Sequence, residues 1–273
     1  MKKLLNFTIF FNLFFIFCSF FVCIFAPPPI KTPINKSSAS DITASELELQ
    51  EYQNLEHGVY ANTSPEDAEI ETKQTDTPKN QNYTIVIDAG HGGPDPGSIG
   101  YKTKVLEADI NLKISYLLKD KLEKAGITVV MTRTSTEALA EGRGKSFKKR
   151  DMELRKEIIK KVRPNMVISL HQNSFTNHTL RGAQVFYDKT SEISKQIADM
   201  IQTEFLKTIE HSNKSISPGN YYMLKCTAAP SVIVECGFLS HPEEEQLLQT
   251  EEHQNKITTA IAKGILNFIS TIK

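Results

Sequence analysis

Three continuous apolar runs constrain this chain more than anything else in it: YTIVID (83–88), MVISLH (166–171) and SVIVECG (231–237). None alternates polar with apolar, each is rich in Val, Ile or Leu, and turn residues flank them. That is the pattern of strands buried on both faces. Longer amphipathic stretches separate them: ADINLKISYLLKDKLEKAG (108–126) closing on Gly126, a segment from about 151 to 162 stopped by Pro164, and stretches from about 191 to 209 and 251 to 269. TVVMTR (128–133), GAQVFY (182–187) and YYML (221–224) read as further strands. Strands alternating with helices of this length predict an α/β fold, a mostly parallel twisted sheet flanked by helices in a single catalytic domain.

The sequence ahead of this domain has two parts. Residues 4–26 are almost wholly apolar and follow Lys2 and Lys3, while Pro27–Pro29 follow Ala26. With about 22 apolar residues the stretch exceeds the usual h-region and suffices to span a bilayer. We read 1–26 as an uncleaved signal anchor in contact with the membrane, with a cleaved signal peptide as the alternative; either reading exports the domain. Residues 27–82 hold few large apolar side chains and carry four basic against ten acidic residues, the composition of a disordered acidic linker. That leaves 83–273 as the folded unit.

The formal charge of zero therefore hides a mildly basic domain, with 26 basic against 22 acidic residues. This is far below the charge density of a nucleic-acid binder, so no nucleic-acid partner is expected. The absence of Trp weighs against appended aromatic-rich carbohydrate-binding repeats. Cys18 and Cys23 fall in the apolar segment. Cys226 and Cys236 read as buried thiols, with a disulfide in an oxidising compartment as the alternative.

Ligand sites of open α/β sheets form beyond the carboxyl ends of the strands. On that rim the sequence places His91 after the first strand, His171 at the end of the third, Glu235 late in SVIVECG and Glu107 at the start of the first helix. Two imidazoles and two carboxylates on one rim suit a catalytic zinc ion, which takes three protein ligands and keeps a position for water. Glu107, close behind the glycine loop, suits a ligand. Glu235, among Val232, Ile233, Val234 and Phe238, suits a general base whose pKa is raised by burial. Asn173, two residues past His171, is a candidate substrate contact or a turn residue. His57, His178, His211, His241 and His253 read as structural. DAGHGG has neither the GxxxxGK[ST] nor the GxGxxG spacing of a phosphate loop.

Four ordered motifs, DAGHGGPDPGSIG (88–100), LEADINL (106–112), SLHQNS (169–174) and VIVECGFLSHPEE (232–244), resemble the zinc-dependent N-acetylmuramoyl-L-alanine amidases of the amidase-3 type over about 83–272. The resemblance implies that His91, Glu107 and His171 bind Zn2+ and that Glu235 is catalytic. It implies hydrolysis of the amide between the lactyl carbonyl of N-acetylmuramic acid and L-alanine in peptidoglycan. HQNSF, RGAQVFY, YYMLK and VECGFLS look like the germination-specific, spore-cortex subset, whose products lead to muramic-δ-lactam; His241 stands where Asn is more usual. The expected setting is the spore envelope space. Two alternatives stand beside this: a peptidoglycan-binding protein of the same fold that an accessory protein activates, and a zinc peptidase acting within the stem peptide.

Overall fold

A computed structural model describes residues 83–272. The expected 1–26 anchor or signal and the 27–82 linker lie outside the described residues. Six strands form one sheet: β1 (Thr84–Ala89), β2 (Thr128–Met131), β3 (Met166–Asn173), β4 (Gln184–Tyr187), β5 (Ser217–Pro218) and β6 (Ser231–Phe238). The helices are α1 (Glu107–Lys124), α2 (Lys145–Val162), α3 (Glu192–Thr208), the short α4 (Glu244–Leu247) and α5 (Glu251–Thr271). Strand order is β2-β1-β3-β6-β4-β5. The first four are mutually parallel, whereas β4 runs antiparallel to β6 and carries β5 parallel at the edge. The mostly parallel α/β reading holds.

Both sheet faces are covered, which is why the central strands can carry apolar residues on both faces. Ile85, Ile87, Met166, Ile168, Val232 and Val234 share one buried cluster with residues of α1, α3 and α5. Val86, Val167 and Ile233 belong to a second, smaller cluster with Ile159 of α2 and with Met223 and Leu224. Ser191 caps α3 by accepting from Ser194 N, and Thr250 caps α5 by accepting from His253 N. The helix α1 has no side-chain cap, and Glu107 and Asp109 occupy its first turn.

One expected strand is not a strand. YYML forms a 3₁₀ turn, Tyr222–Leu224, closed by Lys225 N donating to Tyr222 O at 3.0 Å. Turning the chain buries both Met223 and Leu224 in the smaller cluster, which alternating strand positions would not allow. Also, α2 starts six residues before the expected 151. Cys226 and Cys236 are free thiols, and burial pushes Cys226 up to about 11. Among the described residues no helix is long and apolar enough to cross a membrane.

Candidate metal centre

The sheet reverses its winding at β1. The next strand in the chain, β2, lies on one side of β1, and β3 and then β6 lie on the other. A crevice opens at such a switch point beyond the strand ends. His91 enters it from the loop after β1, in the left-handed region at φ +63°. Glu107 enters from the first residue of α1, His171 from β3, and Glu235 from β6, where it pairs in register with His171. All four residues expected on this rim are brought together.

His91 Nε2 lies 3.2 Å and His171 Nδ1 2.9 Å from the same oxygen, Glu107 Oε1. The two rings meet edge to face with centroids 4.9 Å apart. Glu107 is almost fully buried and accepts from Gln172 N at 3.1 Å through Oε1 and from Ser98 N at 2.7 Å through Oε2. The backbone fits closely round this set. A Cβ at Gly90 would come within 2.3 Å of His171 Cε1, and one at Gly97 within 2.6 Å of Glu107 Oε2. Side chains at either position would displace the donors.

Charge follows this geometry. Burial opposes ionisation of Glu107, but hydrogen bonds and attraction from His171 and His91 hold its carboxyl well below the ordinary range. Burial likewise disfavours charge on His91, yet the neighbouring carboxylates of Asp95 and Glu107 raise it to about 9. Asp95 Oδ2 lies 3.0 Å from His91 Nδ1, close but not aligned as a hydrogen bond, and 3.3 Å from Lys148 Nζ. Glu235 stands apart: its Oε2 is buried with no hydrogen-bond partner. Burial, opposed by His171 and aided by the negative field of Glu107, raises its carboxyl to about 7.

The donor set fits a metal. His91, Glu107 and His171 each offer a ligand atom within 4.8 Å of the others, so the group could hold a metal ion. Two imidazoles with one carboxylate is a catalytic zinc combination. Buried and unpaired polar atoms are costly, and Glu235 Oε2 beside such a group is placed to face a polar reactant.

The sequence pattern of N-acetylmuramoyl-L-alanine amidases matches residues 85–267. The chain belongs to this amidase family. A germination-specific N-acetylmuramoyl-L-alanine amidase from Bacillus subtilis (strain 168) is 33% identical over 190 residues, 68% of this chain and 79% of that one. The CwlD amidase from Clostridioides difficile, solved in complex with the GerS lipoprotein, is 37% identical with a TM-score of 0.67, over 70% of this chain and all of that one. The catalytic domain of CwlV, an amidase from Bacillus (Paenibacillus) polymyxa var. colistinus, is 28% identical with a TM-score of 0.61, over 69% and 98%. As an N-acetylmuramoyl-L-alanine amidase, the protein is a peptidoglycan hydrolase.

Around the His91–Glu107–His171 cluster sit further polar residues. Asn111, one turn after Glu107, donates to Gly90 O at 3.1 Å and accepts from Gln172 Nε2 at 3.1 Å. Its i+4 spacing from Glu107 was the available signal. Two buried guanidiniums hold the His91 loop by its carbonyls. Arg155 donates to Ala89 O at 2.8 Å and His91 O at 2.6 Å; Arg133 donates to Ala89 O at 2.9 Å and Gly90 O at 3.0 Å. Arg155 also pairs with Asp88 and Asp151, both at 2.7 Å. Asn173 accepts from Ser174 N through its own side chain at 2.9 Å, as a turn residue does.

Proposed function

We propose that this chain is a zinc-dependent amidase that cuts between the lactyl carbonyl of N-acetylmuramic acid and L-alanine, with spore-cortex peptidoglycan as its substrate. The observation that carries the reading is the convergence of His91, Glu107 and His171 beside Glu235, whose Oε2 is buried with no hydrogen-bond partner. His91, Glu107 and His171 would hold the zinc. Bound there, zinc supplies a water of lowered pKa and an electrophile for the carbonyl oxygen.

The remaining chemistry belongs to the chain. Glu235 takes a proton from the attacking water and passes it to the departing amine of L-alanine; a carboxyl raised to about 7 is matched to both transfers near neutral pH. Asn111, Gln172 and Ser98 orient Glu107 through hydrogen bonds. Asn173, whose amide nitrogen lies on the same rim, is a proposed substrate contact.

Likeness to a germination-specific amidase and to CwlD supports the cortex assignment, and with it a role ahead of muramic-δ-lactam formation. It also supports export to the spore envelope, anchored or released. Because CwlD was solved with the GerS lipoprotein, an accessory protein that aids activity is the second reading. Mass spectrometry of digested cortex tests the assignment. Whole stem peptides with free L-alanine amino termini are expected, and products cut within the stem would show a peptidase instead. Zinc content and muropeptide release by the purified chain alone, compared with vegetative wall, decide the need for a partner and the cortex preference.

A further inference from the structure

The stretch HGGPDPG (91–97) returns a carboxylate to the imidazole it has just placed. Gly92 N donates to Asp95 O at 2.9 Å and Asp95 N to Gly92 O at 3.0 Å, closing a turn through Gly93 and Pro94. Gly92 and Gly93 have φ of +136° and +53°, backbone that glycine adopts freely. The reversal brings Asp95 back beside His91, with its Oδ2 at 3.0 Å from His91 Nδ1.

That carboxylate is held from several sides. Its Oδ1 accepts from Gly97 N at 3.2 Å, and Lys148 Nζ of α2 lies 3.3 Å from Oδ2. Gly97 is itself wedged between two side chains of the metal centre. A Cβ there would lie 2.6 Å from Glu107 Oε2 and 2.7 Å from His91 Cδ2. The turn that carries Asp95 is thus seated against the donors themselves.

The two ring nitrogens of His91 have different neighbours. Nε2 is turned to the cluster, 3.2 Å from Glu107 Oε1, whereas Nδ1 is buried and makes no aligned hydrogen bond. A buried polar atom left in that state is costly. Neutral imidazole carries one hydrogen, and a nitrogen that ligates a metal must offer its lone pair. With Nε2 as the ligand atom, the hydrogen has to sit on Nδ1. There Asp95 Oδ2 already stands at hydrogen-bonding distance, and a small turn of the ring supplies the angle.

We propose that Asp95 is a positioning residue of the metal centre: its Oδ2 accepts the Nδ1–H of His91 and so holds the imidazole with Nε2 presented to zinc. The inference rests on the reading of His91 as a zinc ligand and extends it to a residue outside the donor set. A carboxylate acceptor also makes the imidazole a stronger donor, and losing such a partner weakens metal binding by roughly 10–100-fold. Lys148 shares Oδ2 from an exposed position, where an ion pair contributes little.

Zinc affinity of the full chain, measured by competition with a chelator, tests this without any substrate. Asp95→Ala is expected to weaken binding by roughly 10–100-fold, and Asp95→Asn, whose amide oxygen can still accept from Nδ1, to lose clearly less. Imidazole 1H–15N correlations of the zinc-loaded, unaltered chain should show His91 protonated at Nδ1, with that proton protected from solvent exchange. The protection should vanish in Asp95→Ala while the His171 signals persist. Unchanged affinity in Asp95→Ala, Asp95→Asn as weak as Asp95→Ala, or an Nδ1 without a proton in the loaded protein would overturn the assignment. If Asp95→Ala fails to fold, the proton position in the unaltered chain still decides. A chain that takes up no zinc removes the metal reading itself; zinc uptake indifferent to Asp95 removes only this role.

Discussion

Glu235 and Asp88 are carboxylates of parallel strands on either side of β3, yet their surroundings drive them in opposite directions. Glu235 has an unpaired oxygen and sits at about 7; Asp88 is also buried, but Arg155, Ser169 and Thr132 overcome that burial and hold it at about 2. Replacing Glu235 by Gln should cut turnover by roughly 10²–10⁴, with zinc content retained. Because its folded pKa is raised, ionising Glu235 costs stability as pH climbs from the ordinary carboxylate range through 7. Metal-stripped Glu235→Gln should therefore melt higher than the unaltered protein above pH 7 and differ little at pH 4. Equal melting at pH 8 would remove the basis for its role as base. Asp88→Asn leaves the Arg155 charge poorly paired in the interior, and a loss of roughly 3–5 kcal/mol in denaturant unfolding is expected. At this scale the sequence exposed the four rim groups and concealed their supports. His91, Glu107, His171 and Glu235 stand at strand and helix ends, where position alone singles them out. Arg155 reaches Asp88 across 67 residues, and from the sequence it reads as one more charge on a lysine-rich helix.

Among the elements, α3 packs tightly on α5 at Gly264, where a Cβ would meet Ile201 Cα at 2.6 Å. Gly264→Ala improves helix propensity by about 1 kcal/mol but forces backbone apart. The overlap should win, lowering stability by roughly 1–3 kcal/mol in thermal melts while zinc content stays unchanged. Strand and helix identity was legible wherever a run was long. YYML was not, since four apolar residues satisfy a strand and a 3₁₀ turn equally. Nor does hydrophobic pattern report strand direction, so the antiparallel β4 and the two-residue β5 had no signal in it. In α2 the inward stripe is Phe147, Asp151, Arg155 and Ile159, four residues apart and half charged. A stripe of that composition looks solvated until its partners on β1 are seen.

For the whole molecule, the buried Asp88–Arg155–Asp151 group ties α2 to β1 and makes acid resistance a global property. Asp88, with its pKa depressed, contributes stability that is complete above about pH 4 and is lost as pH falls through about 2. Acid titration followed by circular dichroism should place the last loss of structure in that window, and Asp88→Asn should flatten it. The fragment 83–273 is expected to fold cooperatively without residues 1–82 and to release muropeptides when zinc is supplied. The reading of 83–273 as the folded unit rests on the change of composition ahead of residue 83. The two arginines gripping Ala89, Gly90 and His91 carry one more consequence. They keep a non-glycine residue in a left-handed turn that it would not adopt alone. The imidazole is thus poised before any ion arrives, so stopped-flow zinc uptake should be a single bimolecular phase, linear in metal concentration, with no slow rearrangement following it.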